Sequence, residues 1–355
     1  MRTNAHAENR KRLRNTALAG LGGLIAVLAF LFAYGGAFGQ PKPHDLEIAV
    51  VDAPSVVQTL QDVDGVTVTQ LPDWGAAEDQ VAHNEINGAM TVGAGGDVNV
   101  AVAGGGGRSV ASAVTDLATP IADASGGSVH VDDLAPLSSE NPNGTFEFYG
   151  IIFLGIGASL GATVFGRTLG PVQGLRGFTE RLVTTAVYTA AAAALVTYVL
   201  DGHLGALAGH PWGLFLTLWA FTATVCLALS GINARFGMAP GIIATLGFVL
   251  LGNSSAGGAV PPALLNGFYA ALTPVLPHGA ALSALRGVQY FDGHGVTAGL
   301  VCLAVWAAGG ILLLARAAHR AARSARHKRV PEEAGATPSA EDADAATAAL
   351  ATVRG

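Results

Sequence analysis

The chain has 355 residues, of which 51% are hydrophobic and only 12% are charged, and its formal net charge is −6. Soluble domains usually carry about 25% charged residues, so this composition argues against an ordinary soluble protein. The sequence also has no basic tract of the kind that binds nucleic acid, and we expect no nucleic-acid partner.

Six long apolar runs predict transmembrane helices, which cover 17–38, 148–166, 182–200, 212–232, 236–252 and 296–315. A helix needs about 17–25 residues to cross the hydrocarbon core, and each run reaches that length. The first run exceeds the core of a secretory signal, which has about 7–15 residues, so we favour a membrane anchor over a cleaved signal. We therefore expect a mostly α-helical polytopic membrane protein with six transmembrane helices.

The distribution of lysine and arginine predicts the orientation of these helices. With the N-terminus inside, 16 of the 19 Lys and Arg residues lie on the cytoplasmic side, and only Lys42, Arg108 and Arg286 lie outside. We expect a multi-pass protein of the cell membrane with both termini in the cytoplasm. The bases near the termini would contact anionic membrane lipid there.

The predicted spans divide the chain into five regions. Residues 1–16 form a cytoplasmic N-terminal segment, 17–38 the first transmembrane helix and 39–146 a small extracellular α/β domain. Residues 147–316 form a five-helix transmembrane domain that contains a re-entrant segment at 253–287. Residues 317–355 form a cytoplasmic tail that is basic at first and then disordered, because its composition is rich in Ala, Glu, Asp and Pro.

The extracellular region shows strand and helix patterns in alternation. Strands are predicted in "LEIAVVD" (46–52), "VTVTQL" (66–71), "AMTVGA" (89–94), "VNVAVA" (98–103) and "SVHVDDL" (128–134). One helix begins with Asp73 as its N-cap and ends before Gly88, and a second covers 108–124. The "GGGG" at 104–107 favours a flexible turn over a phosphate-binding loop. Both cysteines lie in predicted spans, so this domain has no disulfide.

The sequence offers no motif with which the chain could hydrolyse ATP by itself. A P-loop requires G-x-x-x-x-G-K-[ST], and none of the three lysines follows a glycine. No catalytic triad, Cys-His pair, paired carboxylates or metal-ligand spacing is recognisable, so we expect no enzyme activity and no cofactor or metal bound by this chain. Ionisable residues are absent from the middle of each span, which favours an energy source outside the membrane.

An apolar segment between the last two predicted spans is interrupted by prolines. Pro261 and Pro262 suit the start of a helix, and Pro274 and Pro277 end it. This helix has about eleven residues, or roughly 16 Å, which is half a bilayer. A second short helix covers 279–287. We expect a re-entrant helix pair that enters the membrane from outside; the alternative is an amphipathic hairpin on the outer surface.

Two motifs and the order of segments resemble a known family. The layout over 17–315 is one span, an outer α/β domain and five further spans, as in the membrane subunits of type-2 ABC exporters. The "LEIAVVDAP" after the first span and "GNSSAGGAVPPALLNGFYAALTPVLPHGAALSALRG" at 252–287 resemble the Pip-like (phage infection protein) branch. These motifs cover about 45 residues. Pip-like proteins often have much larger outer domains, so functions tied to those portions are not expected here.

The resemblance implies an ATP-driven exporter that moves a hydrophobic or amphipathic substrate outward. It implies a separate cytoplasmic ABC ATPase that uses the ATP, and a second membrane subunit that is either an identical copy or a paralogous permease. The loop at 167–182 would be the coupling segment that contacts the ATPase, through Arg167, Arg176, Phe178, Glu180 and Arg181. The re-entrant pair would form the outer gate, with Asn253, Pro261, Pro262, Phe268, Pro274, Pro277 and Arg286.

The residues themselves leave several alternatives open. After Gly177, "FTERL" predicts a short surface helix for a soluble partner, or else an ordinary cytoplasmic loop. Glu147 and Arg286 are both expected near the outer interface of the membrane. They would either form a charge pair at the exit or lie separately on the surface. We favour the surface location, because a charge at the interface costs little free energy. The alternative function is a non-transporting membrane receptor or scaffold whose outer domain binds a ligand or partner.

Overall fold

The computed structural model describes residues 2–334, and residues 1 and 335–355 lie outside it. The helices are α1 (Arg2–Phe38), α2 (Pro54–Gln61), α3 (Trp74–Ala82), α4 (Arg108–Ser125), α5 (Phe146–Thr168), α6 (Gly174–Thr197), α7 (Pro211–Phe236), α8 (Met238–Gly247), α9 (Gly267–Leu272), α10 (Pro277–Tyr290) and α11 (Val296–Ala334). The strands are β1 (Leu46–Val51), β2 (Val66–Leu71), β3 (Gly88–Val92), β4 (Val98–Val102) and β5 (Val129–Asp133). The chain is thus mostly helical with one small sheet. Most of the predicted disordered tail falls outside the described residues.

Five helices are long and apolar enough to cross a membrane, consistent with a helical membrane protein. They cover Glu8–Phe38, Phe146–Thr168, Gly174–His203, Pro211–Phe236 and Val296–Arg323. The remaining predicted span is a shorter apolar helix at Met238–Gly252, whose 15 residues would extend about 22 Å. The count of six spans therefore stays a prediction.

Helix α7 is the centre of the helical bundle. It packs against α5, α6, α10 and α11, and its side chains Leu214, Leu218, Phe221, Val225 and Leu229 are buried in one apolar cluster. Helices α7 and α11 approach closely where Gly231 and Gly310 face each other, because a side chain at Gly231 would collide with the backbone of Gly310. Small residues at helix crossings are typical of packing within membranes.

The sheet belongs to a three-layer α/β domain that follows α1. Its strand order is β2-β1-β3-β4-β5, and all neighbouring strands are parallel except β3 and β4. Helices α2 and α4 cover one face of the sheet, where Leu46, Ile48 and Val50 are buried. Helix α3 covers the opposite face, where Ala49 and Val51 are buried. This alternation along β1 is the period of two that a strand imposes.

All five predicted strands of this domain are present, and Asp73 is the N-cap of α3 as expected. Its Oδ1 accepts hydrogen bonds from the backbone N–H groups of Gly75 at 2.8 Å and Ala76 at 3.3 Å. The predicted end of that helix is wrong, since α3 stops at Ala82 and Gly88 begins β3. Helix α2 was not predicted, although Pro54 at its first turn is a typical helix start.

The "GGGG" at 104–107 forms a turn, as predicted, but a buried one. Gly104–Gly106 form a 3-10 turn in which Gly104 and Gly105 are buried. A Cβ atom at Gly105 would lie 2.4 Å from the ring of Tyr290, and one at Gly107 would lie 2.3 Å from Pro261. The glycines are required because this loop packs directly against the helical part of the chain.

The interrupted segment differs from the expected pair of half-length helices. The predicted eleven-residue helix is wrong: a 3-10 turn at Pro262–Leu264 is followed by extended backbone at Leu265, and α9 begins anew with Asn266 as its N-cap. The Asn266 side chain accepts the Phe268 N–H at 3.1 Å, a preferred capping interaction.

The two halves of this segment belong to different cores. Val260, Leu264 and Leu265 pack in the core of the α/β domain, and the His44 N–H donates to the Ala263 carbonyl at 2.7 Å. Helix α10 is instead buried between α5, α7 and α11. Its His278 contacts Gly155 and Phe221, and Gly155 lies about 14 Å along α5 from its first residue. Helix α10 is therefore covered by the bundle, whereas the position of the segment relative to the membrane stays a prediction.

The predicted short helix in "FTERL" is not a separate element. Helix α6 begins at Gly174 and continues without interruption through this sequence to Thr197. The first turns of α6 therefore carry Arg176, Phe178, Glu180 and Arg181. The loop before it, 169–173, is short.

We predict that the two adjacent glycines of α11 respond in opposite ways to alanine. In Gly310→Ala the new methyl group would lie about 2.5 Å from the Leu227 backbone, whereas Gly309 has no neighbour within 4 Å. Overpacking of this kind costs about 1–3 kcal/mol, while alanine is favoured over glycine in an open helix position by up to about 1 kcal/mol. Thermal unfolding in detergent should show a lower Tm for Gly310→Ala and an equal or higher Tm for Gly309→Ala. Equal behaviour of the two variants would contradict the described α7–α11 contact.

Candidate functional site

A cleft of about 620 Å³ is lined by residues of the α/β domain, the interrupted segment and α11. We call this space the cleft. One wall consists of loops of the α/β domain, with His44, Asp45, Asn84 and Asn87 among its polar residues. The opposite wall consists of 256–274, one side of α10 and the first turn of α11, and it is formed mainly by alanine, glycine and proline. The cleft is therefore polar on one side and apolar on the other.

Arg286 of α10 lies at the wall of the cleft and joins its two sides. Its side chain is only 7% exposed. Nη1 donates to the Gly106 carbonyl at 3.1 Å and to the Gly257 carbonyl at 3.0 Å, and Nη2 donates to the Gly258 carbonyl at 3.4 Å. One carbonyl belongs to the α/β domain and two belong to the turn before Pro261. The guanidinium thus holds both walls by backbone contacts.

Glu147, in the first turn of α5, is fully buried rather than at the surface. Its two carboxylate oxygens accept hydrogen bonds from Asn141 Nδ2 at 3.1 and 3.0 Å, and one accepts from the Tyr290 hydroxyl. The expected surface location of Glu147 and Arg286 is wrong. Within residues 2–334 the two charges form no contact of 4.0 Å or less, so they influence each other only at longer range.

Asn141 and Tyr290 connect Glu147 to its surroundings. Asn141 Oδ1 accepts from the backbone N–H groups of Thr145 at 3.0 Å and Phe146 at 3.3 Å, and so supports the start of α5. Tyr290 packs on Gly105. Burial and the neighbouring Glu147 carboxylate raise the pKa of the Tyr290 hydroxyl, so it stays protonated and donates its hydrogen bond. This network lies behind Arg286 and outside the cleft.

The structure brings together some of the predicted gate residues and separates others. Pro261, Pro262, Pro274 and Arg286 line the cleft. Phe268 is 58% exposed on the outside of α9. Asn253 is buried beyond the end of α8, and its Oδ1 has no hydrogen-bond partner among residues 2–334. Pro277 is the first residue of α10. Four of the predicted gate residues therefore line the cleft, and the other three lie outside it.

The predicted coupling residues lie at the opposite end of the bundle. Arg167, Arg176 and Glu180 are exposed. Phe178 packs on Val172, Leu314 and Ala318, and the buried Arg181 donates from Nη2 to the Gly170 carbonyl at 2.9 Å. Phe178 and Arg181 therefore fix the loop at 169–173 onto the bundle. The three exposed side chains lie on the surface of the bundle at this end.

Several residues of this site have no recognisable signal in the sequence. Gly106, Gly257 and Gly258 supply only carbonyl oxygens, and nothing in a glycine identifies such a role. Asn141 and Tyr290 are distant in sequence from the acid that they bind. Among the described residues, no group of three or more His, Cys, Asp or Glu side chains is arranged to hold a metal ion.

Comparison with known proteins identifies no relative. No protein-family model matches the chain, and no curated protein and no solved structure gives a significant match. The resemblance to type-2 ABC exporters therefore rests on the layout and the two sequence motifs.

We predict that Glu147→Gln destabilises the protein while Glu140→Gln does not. The amide cannot accept as strongly from both Tyr290 and Asn141, and hydrogen bonds to buried charged groups contribute about 1.5–3 kcal/mol. Glu140 is exposed and, among the described residues, its carboxylate accepts a hydrogen bond only from the adjacent Ser139, so its substitution should change stability by less than about 0.5 kcal/mol. Thermal unfolding in the same detergent compares the variants. A Tm for Glu147→Gln within error of the unaltered chain would contradict the network.

Proposed function

We propose that this chain is the membrane-spanning subunit of an ATP-driven ABC-type exporter, with the ATPase on a separate subunit. The observation that carries this proposal is the arrangement of the interrupted segment. Its first part completes the α/β domain, and α10 enters the bundle beside α5, α7 and α11. An outer gate must join an outer domain to the helices that move, and this segment contacts both.

A sixth span at Met238–Gly252 belongs to this proposal. At its beginning Gly241 packs on Asn233 near the end of α7, and at its end Gly252 packs on His278 of α10. A few residues later Gly258 packs on Phe148, in the first turn of α5. The segment thus leads from one end of the bundle back toward the α/β domain. Such a path would require a crossing, although the helix is shorter than its neighbours.

The proposed orientation places the α/β domain outside the cell and both termini in the cytoplasm. Exposed bases then lie on the inner side, as the positive-inside rule requires: Arg167 and Arg176, those at 10–14 of α1, and Arg316, Arg320 and Arg323 of α11. The α/β domain and the cleft then face the outside, where an exporter releases its substrate.

The proposed second membrane subunit would pack on helices that this chain leaves largely uncovered. Only 6% of the most apolar window of the first span is buried, compared with 61% for α7. Leu24, Leu28 and Phe32 of α1 are among its exposed side chains. Lipid or an identical copy of the chain would cover them, since apolar side chains of a span do not face water.

The exposed residues Arg167, Arg176 and Glu180 form what we call the coupling surface, and this surface supplies the test of the proposal. Arg176 and Glu180 are four residues apart on α6 and therefore share one face, and both are exposed. We predict that the double variant Arg176→Ala, Glu180→Ala recovers roughly tenfold less ATPase in a gentle-detergent pull-down, which corresponds to a loss of about 1.4 kcal/mol of binding free energy. The readouts are the co-purified protein and its ATP hydrolysis.

The matched control is Glu8→Ala, Arg12→Ala, an exposed pair with the same spacing on α1, which should leave the ATPase bound. Absence of any ATPase with the unaltered chain, under conditions that preserve a known ABC transporter, would contradict the exporter proposal. It would favour a membrane receptor or scaffold instead. Equal loss in both double variants would contradict the assigned coupling surface.

A further inference from the structure

The cleft contains a positive charge that no neighbouring acid neutralises directly. Within the described part of the chain, no carboxylate oxygen lies within 4.0 Å of the Arg286 guanidinium. Glu147 is the acid whose charge acts on Arg286, but its oxygens are bound by Asn141 and Tyr290. A cation supported only by carbonyl dipoles favours an anion nearby, because charge-assisted hydrogen bonds are stronger than neutral ones.

Arg286 also retains donors that its protein contacts do not use. Arginine has five N–H groups, and three of them donate to Gly106, Gly257 and Gly258. Two N–H groups are not used by these contacts, and Arg286 is one of the residues that line the cleft. A phosphate or carboxylate oxygen matches this planar donor group.

The rest of the cleft suits an apolar group. Beyond Arg286, the wall presents Ala256, Pro262, Ala270, Pro274 and Leu282. The wall continues to Ala298 and Gly299, which lie in the first turn of a helix that is apolar enough to cross a membrane. An alkyl chain placed along this wall would extend from Arg286 to the first turn of α11.

The acid at the rim does not oppose an anion inside. Asp45 lines the cleft but is exposed to solvent and accepts a hydrogen bond from Thr67 Oγ1 at 3.2 Å. Exposed charges are screened by water and salt far more than buried ones. Its effect at Arg286 is correspondingly weak.

We propose that the cleft binds an amphiphilic molecule with an anionic phosphate or carboxylate head group, the head group contacting Arg286 and the alkyl part lying along the alanine- and proline-rich wall. This inference rests on the proposed exporter function for the role of the ligand as cargo, but the binding itself requires no ATPase.

The test uses the full chain in zwitterionic lipid nanodiscs and a photoreactive dodecyl phosphate as the probe. Labelling should map to peptides from 256–274 and 279–286. Unlabelled dodecyl phosphate should compete at a concentration about tenfold or more below that of dodecyltrimethylammonium, which lacks the charge-assisted bonds. Inorganic phosphate should compete poorly, because it lacks the apolar part.

Equal competition by the ammonium compound would contradict the proposal that the head group is anionic. Equal competition by inorganic phosphate would contradict the proposal that the ligand has an alkyl part.

Two pairs of variants separate binding in the cleft from general effects on folding. Ser283 lines the cleft and is exposed, so Ser283→Trp should fill the space and abolish labelling. Val275 is 56% exposed outside the cleft, and Val275→Trp should leave labelling unchanged. Arg286→Gln should remove the preference for phosphate, and Arg286→Lys should retain part of it. Unchanged labelling in Ser283→Trp would overturn the proposal, even where Arg286→Gln fails to fold.

If an ATPase co-purifies but dodecyl phosphate competes no better than the ammonium compound, only the inference of an anionic ligand is contradicted. Selective labelling without an ATPase would contradict the exporter proposal alone.

Discussion

The buried guanidinium of Arg286 is the constraint on which the junction between the two parts of the chain depends. Removing such a charge from water costs several kcal/mol unless hydrogen bonds replace the lost hydration. Here the replacement comes from Gly106 in the α/β domain and from Gly257 and Gly258 in the interrupted segment. Neither loop can withdraw without leaving the charge with fewer partners. The Arg286 side chain therefore links the α/β domain, the turn and α10.

Close backbone packing makes this arrangement possible. Gly105 leaves room for Tyr290, Gly107 for Pro261 and Gly258 for Phe148. In each case a Cβ atom would come within about 2.5 Å of its neighbour, so a larger residue would push the domain away from the bundle. The same contacts leave the cleft beside Arg286 open, because its wall is formed by small side chains. Close backbone packing and an open cleft thus lie side by side at this junction.

Much of the fold could be predicted from local patterns, but the site could not. The strands of the α/β domain follow from their alternation, and the Asp73 cap follows from its side chain. The burial of Glu147 depends on Asn141 and on Tyr290, which is 143 residues away, and no local pattern contains that pairing. The break at Asn266 was missed for a different reason: the apolar spacing of Leu264, Phe268 and Leu272 indicated one helix, while the packing of Leu264 and Leu265 into the α/β domain required another path.

The proposed exporter subunit would have the cleft at the outer end of its bundle and the exposed coupling surface at the cytoplasmic end. The most direct test of this proposal is the mass of the intact complex released from nanodiscs under native conditions. The account predicts two membrane subunits, either two copies of this chain or one copy with a related permease, together with nucleotide-hydrolysing subunits. A mass corresponding to this chain alone, or to an assembly without an ATPase, would contradict it.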